Sequence, residues 1–194
     1  FVDASLTYGY HDFDSTRNVP MLGQSLSSDH TGHDATAFAR LGHEWQTDFG
    51  LYITPEVAGQ YTLLYEEDYA ESGGSAALDV DSRTSHSLRS RVGVTLSYPF
   101  SHFQIEEGDV TLIPEVYLGW EHEFLDDENI DGTFVSGGGA FSFDVNEADR
   151  DSIIVAAGMS AVVNDMFSAF FRYEGSYSGD SDVHGVTGGV RLRF

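Results

Sequence analysis

Apolar and polar residues alternate with a period of two over most of this chain, and few folds tolerate that. Val186, Gly188, Val190, Leu192 and Phe194 alternate with Thr187, Gly189, Arg191 and Arg193. Leu88, Ser90, Val92, Val94, Leu96, Tyr98 and Phe100 alternate with Arg89, Arg91, Gly93, Thr95 and Ser97. The longest case sets Val110, Leu112, Pro114, Val116, Leu118, Trp120, His122 and Phe124 against Thr111, Ile113, Glu115, Tyr117, Gly119, Glu121 and Glu123. Successive side chains of a strand point to opposite faces, so this pattern writes two-faced strands, and no comparable helical stripe exists.

Turn signals divide the pattern into ten expected strands, at about 1–12, 33–46, 51–66, 85–100, 110–125, 129–136, 140–146, 152–163, 168–177 and 184–194. The division inside 129–146 rests on Gly137-Gly138-Gly139, whose freedom at positive φ suits a tight hairpin. It also keeps the strand number even, as in bacterial single-chain outer-membrane barrels. The connections then alternate in character. One set (13–32, 67–84, 126–128, 147–151, 178–183) holds two long Asp/Ser/Gly-rich loops. The other (47–50, 101–109, 137–139, 164–167) is mostly short. Long loops at one end and short turns at the other mark a transmembrane barrel.

Composition removes several alternatives. The 194 residues carry 32 Asp+Glu against 9 Lys+Arg, a formal charge of −23, and every basic residue is arginine. That charge repels a phosphate backbone, so no nucleic-acid partner is expected. The absence of cysteine removes disulfide scaffolds, zinc–cysteine sites and thiol nucleophiles. Apolar runs fall far short of the ~20 residues of a membrane helix, and 14 Phe with 10 Tyr do not suit a disordered acidic chain. A soluble acidic β protein and a membrane barrel remain. The barrel is favoured by strands longer than the soluble mode of ~5–6 residues. It is favoured too by Tyr8, Tyr10, Trp45, Tyr65, Tyr98, Trp120 and Tyr177 towards the ends of the apolar faces, and by opposite faces that mix Arg and Glu with Gly, Ser and Thr.

These residues resemble a known family, the autotransporter translocator domain of type V secretion. The resemblance lies in Ser87-Leu88-Arg89-Ser90-Arg91-Val92-Gly93-Val94, Leu112-Ile113-Pro114-Glu115-Val116 and Trp120-Glu121-His122-Glu123-Phe124. It continues through Ala157-Gly158-Met159-Ser160-Ala161 to Gly188-Gly189-Val190-Arg191-Leu192-Arg193-Phe194, and is looser over 1–84. It implies an all-β, antiparallel transmembrane β-barrel, with about ten strands visible of an expected twelve. A pore helix and an N-terminal passenger would precede the barrel. Residues 1–194 are expected to be one outer-membrane β-barrel domain whose first strands lie upstream of Phe1. The implied work is mechanical: insertion in the outer membrane and export or anchoring of the passenger, without catalysis or cofactor. The implied partners are outer-membrane lipid and lipopolysaccharide, the barrel assembly machinery and the passenger segment itself. A small stand-alone barrel with a structural, adhesive or pore role through its acidic loops is the alternative. An outer-membrane hydrolase using loop Asp and His is the enzymatic rival.

Candidate functional residues follow from parity and spacing. Arg40, Arg89, Arg91, Arg172, Arg191 and Arg193 share the polar strand faces with Glu44, Glu56, Glu115, Glu121, Glu123 and Glu174. They are expected to form an ion-pair network bracing the lumen wall, since guanidinium pairs bidentately with carboxylate. The same charges could keep an unfolded segment from sticking during export, and the resemblance raises Glu115 or Glu56 as aids to linker cleavage, a lesser reading because the scissile segment is absent here. Val186, Gly188, Val190, Leu192 and Phe194 resemble the C-terminal signal read during barrel assembly. Asp127, Asn129 and Asp131 match the opening of a calcium loop, D-x-N-x-D-G, but Gly138 stands where the bidentate Glu belongs, so a solvated acidic loop is the simpler account. His30, His33 and Asp34 are metal-ligand types expected in a Ser/Asp/Gly loop. Pro55 and Pro114, both mid-strand, are expected to mark bulges near the short-turn rim.

Overall fold

The computed structural model describes residues 1–105, 108–125, 129–144, 149–163 and 167–193. Its strands in chain order are β1 (Val2–Val19), β2 (Gln24–Gly42), β3 (Trp45–Gln46), β4 (Tyr52–Glu66), β5 (Tyr69–Ala70), β6 (Leu78–Val80), β7 (Arg83–Ser97), β8 (Phe100–Ile105), β9 (Gly108–Glu123), β10 (Asn129–Phe134), β11 (Phe141–Asp144), β12 (Asp151–Val163), β13 (Phe167–Tyr177) and β14 (Asp182–Leu192). A single 3-10 turn, Pro20–Leu22, is the one helical element among the described residues. It closes on Gly23 at φ 62°, a left-handed position that glycine takes without strain.

The long strands pair antiparallel in the order β1-β2-β4-β7-β9-β12-β13-β14, each beside its successor along the chain, and β3 and β8 attach to β4 and β9. The result is a ten-stranded sheet whose membership differs from the expected one. The strands of the 129–146 region do not join it. β12 pairs directly with β9, Asp151 opposite His122, and β10 and β11 enter a second sheet of order β11-β10-β6-β5. The glycine triplet does begin a turn, with Gly137 at φ 87°, but that hairpin belongs to a cap over the loop end. Its strands, four and six residues long, are too short to span a bilayer.

The segment 13–32, expected as a loop, is mostly strand. β1 and β2 form one uninterrupted hairpin from Val2 opposite Leu41 to Val19 opposite Gln24. Its far half stands beyond the apolar band, where alternation gives way to Ser, Asp and Thr. Backbone pairing in a hairpin needs no apolar face, which is why composition concealed it.

Pro55 and Pro114 do not mark bulges. The register runs through both without a shift: Thr54, Pro55 and Glu56 face Thr95, Val94 and Gly93, and Ile113, Pro114 and Glu115 face Ser160, Met159 and Gly158. On the other side of each proline the ladder is interrupted. β2 ends with Gly42 opposite Glu56 and pairing resumes with Trp45 opposite Ile53. Likewise β7 ends with Ser97 opposite Glu115, and pairing resumes with Phe100 opposite Leu112. Both prolines occupy hydrogen-bonding positions: the Pro55 carbonyl accepts from the His43 amide and the Pro114 carbonyl from the Tyr98 amide, each at 3.2 Å. Each proline therefore forgoes only the reciprocal bond and interrupts the ladder there without shifting it. The irregular register lies instead between Ser101 and Phe103 in β8.

Burial is inverted relative to a water-soluble protein. Large apolar side chains point outward, with Leu6 87% and Val190 71% exposed. Tyr117, Ile154 and Ala156 form a buried cluster on the opposite, concave face. The apolar band fits a bilayer. On β4, Ile53 and Tyr65 are 12 steps apart, ~40 Å along a strand and ~30 Å once tilted by ~40°. The aromatic residues mark both edges: Trp45 and Tyr98 at the turn end; Tyr8, Tyr10, Tyr65, Trp120 and Tyr177 at the loop end.

Candidate functional site

Strand parity sends one side-chain set of every long strand onto the concave face, and there the charges meet. Arg89 donates through Nε to Glu123 at 2.8 Å, and its Nη1 lies 4.0 Å from Glu121. Arg91 donates to Glu121 through Nη2 at 2.9 Å and reaches Glu174 at 3.4 Å. Arg172 donates to Glu174 at 3.2 Å and to Glu115 at 2.8 Å. These contacts run without a gap from Glu123 through Arg89, Glu121, Arg91, Glu174 and Arg172 to Glu115. A separate triad joins Arg40 to Asp3 at 2.6 Å and Glu56 at 3.4 Å. Glu123 also accepts from Ser87 Oγ at 2.5 Å and from the Leu88 amide at 2.8 Å.

Other candidates of the same charge pattern stand apart from this chain. Glu44 is exposed between β2 and β3, and Arg191 is exposed near the end of β14, opposite Ser168. Arg193 follows β14 and is exposed. Asp3 was not foreseen; its place opposite Arg40 on the β1–β2 hairpin follows from pairing, not from any sequence motif.

Tyr117 sits at the centre of the concave face, only 3% exposed. Its ring covers Gly93 on β7 and Gly119 on its own strand, and a Cβ at either glycine would clash with its hydroxyl and the adjoining ring carbons. Arg172 places its guanidinium 5.6 Å from the ring centroid, a cation–π contact. The Tyr117 hydroxyl is buried with no hydrogen-bond partner among the described residues. Beside it, Phe38, Arg40, Glu56, Arg91 and Thr95 line a cavity of about 310 Å³.

At the loop end the second sheet is tied to the long hairpin. Arg17 donates to Glu71 through Nε at 2.9 Å and Nη2 at 2.5 Å, and to the Ala76 carbonyl at 2.9 Å. Glu71 also accepts from the Leu78 amide at 2.9 Å. The Arg17 guanidinium holds the Glu71 carboxyl below its ordinary range. His30 and His33 lie in β2 rather than in a loop, on opposite faces. His30 is stacked between Phe13 at 4.9 Å and Tyr69 at 4.3 Å. Arg83 pairs with Glu66 on the neighbouring strand.

Asn129 and Asp131 of the calcium-like stretch lie in β10, opposite Asp144 and Ser142. Extended pairing is not the tight wrap that a calcium loop requires. Asp127 falls outside the described residues. Val186, Gly188 and Val190 face outward on β14 with Leu192, opposite Tyr173, Phe171, Ala169 and Phe167; Phe194 lies outside the described residues.

A family profile for the autotransporter beta-domain matches residues 1–174. Among curated proteins, an extracellular serine protease of Serratia marcescens is 27% identical over 192 residues, covering 97% of this chain and 18% of the relative. The esterases EstA of Pseudomonas aeruginosa and Pseudomonas putida are each 33% identical over 133 residues, covering 66% of this chain and 19% of the relative. The chain thus spans under one fifth of the length of these relatives. An all-β curled sheet, apolar outside and ion-paired within, agrees with the profile: the chain belongs to the autotransporter beta-domain family of the Gram-negative outer membrane.

Proposed function

We propose that this β-domain anchors and exports an N-terminal passenger, with the ion-paired concave face as the wall of its route. The observation that carries this reading is the continuous arginine–glutamate chain across β7, β9 and β13. A wall of largely paired charges, four arginines against six carboxylates, offers an extended segment little apolar surface to stick to and only a small negative excess. The same pairs brace the strands. The sheet edges at β1 and β14 do not pair with each other among the described residues. Further strands pairing to these two edges would close the wall.

The hydrolytic activities in the relatives' names are placed, on this reading, in the part of those proteins that this chain does not match. The β-domain itself performs no chemistry. Its C-terminal strand, with Val186, Gly188, Val190, Leu192 and Phe194, serves as the address for the assembly machinery.

The test uses the whole protein with an epitope near its N-terminus, expressed in a Gram-negative host. Protease added to intact cells removes the epitope and leaves a folded, membrane-protected β-domain. An epitope sealed inside the periplasm beside a folded β-domain overturns the reading.

A further inference from the structure

One contact recurs on the outward face of the sheet. Tyr8 of β1 lies opposite Ala35 and bonds His33, two residues further along β2, with its hydroxyl 2.7 Å from Nδ1. Tyr61 of β4 lies opposite Leu88 and bonds His86 of β7 in the same way at 2.7 Å. Tyr173 of β13 lies opposite Val186 and bonds His184 of β14 at 2.7 Å. The fourth such hairpin keeps the register with other chemistry: Trp120 of β9 lies opposite Ile153 and donates to Asp151, two residues away, at 3.0 Å. Asp151 also holds His122 Nδ1 at 2.9 Å. These four strand pairs are the ones whose connections lie at the loop end, so the contacts form a collar at the upper edge of the apolar band.

The chemistry of the Tyr–His clasp has a direction. A phenol is the better donor and an imidazole nitrogen the better acceptor, so the contact favours the tautomer in which the hydroxyl donates to Nδ1 and Nε2 carries the N–H. That leaves one N–H donor per clasp at headgroup depth. Among the outward positions of β1, β2, β4, β7, β9, β12, β13 and β14 there is no arginine or lysine, so these imidazoles replace the usual cationic contacts to lipid phosphate.

A second observation says that the acceptor belongs to a lipid. Directly below the first two clasps, small residues open a trough of about 560 Å³ on the outer face, lined by Ala4, Leu6, Ala37, Ala39, Tyr61 and Leu88. Its lining is apolar, and it lies between Tyr8–His33 on one side and Tyr61–His86 on the other. An acyl chain fits the trough while the headgroup above it meets the imidazoles.

From this the geometry points to a lipid-binding collar: His33, His86 and His184 donate Nε2–H to the phosphate of a lipid in the cell-surface leaflet, and the Ala37–Ala39 trough seats an acyl chain of that lipid. The inference rests on the outer-membrane placement of the loop end that the export reading also uses.

The test takes the whole protein from outer membranes in non-ionic detergent and adds bisphosphorylated lipid A, with dephosphorylated lipid A as the second arm, scored by native mass spectrometry. The triple variant His33→Phe, His86→Phe, His184→Phe keeps the rings and loses the donors. It binds the bisphosphorylated lipid about tenfold more weakly or worse, the loss of a hydrogen bond to a charged acceptor, and binds the dephosphorylated lipid like the parent. His43→Phe, at the opposite girdle beside Trp45, changes neither. Equal affinity of parent and triple variant for the bisphosphorylated lipid overturns the collar, as does an equal loss in both arms. Heat-modifiable gel migration reports folding. If the triple variant does not fold, Tyr8→Phe, Tyr61→Phe, Tyr173→Phe, which frees Nδ1, carries the same expectation at about threefold, and no loss there overturns the collar. A parent protein absent from the outer membrane would sink the placement itself, a separate failure.

Discussion

Arg91 Nη1 lies 3.4 Å from Glu174 Oε1, although β7 and β13 are third neighbours in the sheet. Flat strands that far apart would stand ~14 Å from each other. The sheet curls enough for two long side chains to meet across its hollow, and the meeting is a cross-brace on that curvature. Glu174 also accepts from Arg172 at 3.2 Å, so one carboxylate serves two guanidiniums. Glu174→Gln therefore weakens both contacts and lowers stability by about 1 kcal/mol, a partly exposed pair being worth no more. The temperature at which the folded band is lost on a heat-modifiability gel falls, whereas Arg191→Gln leaves it unchanged.

The Tyr117 ring occupies space that a Cβ at Gly93 or Gly119 would need. Gly119→Ala forces the ring off its seat and costs about 1–3 kcal/mol, the range for overpacking. Tyr117→Ala in the same chain restores part of the loss, and a double-mutant cycle on thermal stability measures the coupling. A strictly additive pair would disprove the contact. Tyr117→Phe removes a buried hydroxyl that has no partner among the described residues and leaves stability equal or up to about 1 kcal/mol higher.

Acid loosens the cap before the barrel. The Glu71 carboxyl, held low by Arg17, contributes stability that is fully present above the ordinary carboxylate pKa of ~4.3. That contribution disappears as pH falls through the lower folded-state value. Amide exchange in residues 67–80 accelerates at pH 3 relative to pH 6, while β7 and β9 stay protected. Glu71→Gln shows the fast exchange at both values. A cap equally protected at pH 3 and pH 6 would refute the role given to this pair.

Deletion of Phe194 reduces the amount of folded β-domain in the outer membrane without shifting the thermal stability of the fraction that assembles. Quantitative blotting of membrane fractions measures the first and the gel assay the second. Unchanged assembly removes the C-terminal address from the account.

Much of the concave face was legible before any coordinate. The alternation around Arg89, Arg91, Glu121 and Glu123 assigns those residues to one face because side-chain parity is a local property of a strand. Glu44, Arg191 and Arg193 carry the same types but lie at strand ends or outside them, where parity no longer guarantees a neighbour. Asp3 could not be found from one strand, since its partner Arg40 is 37 residues away and is set by hairpin register. The prolines misled for a related reason: a missing N–H interrupts a ladder without inserting a residue, and only the pairing on both sides of each proline shows that the register is kept.

The sequence by itself determined the strands, their two faces, the direction of the charges and the aromatic edges, because a period of two and the chemistry of a bilayer edge act on residues close together in the chain. Only the tertiary structure decided which strands share a sheet. It sent β10 and β11 to the cap, drew Arg91 to Glu174, and set three histidines two residues past their tyrosines on neighbouring strands. Each of those outcomes depends on register and curvature, which arise from the summed pairing of distant segments and leave no mark on any one of them.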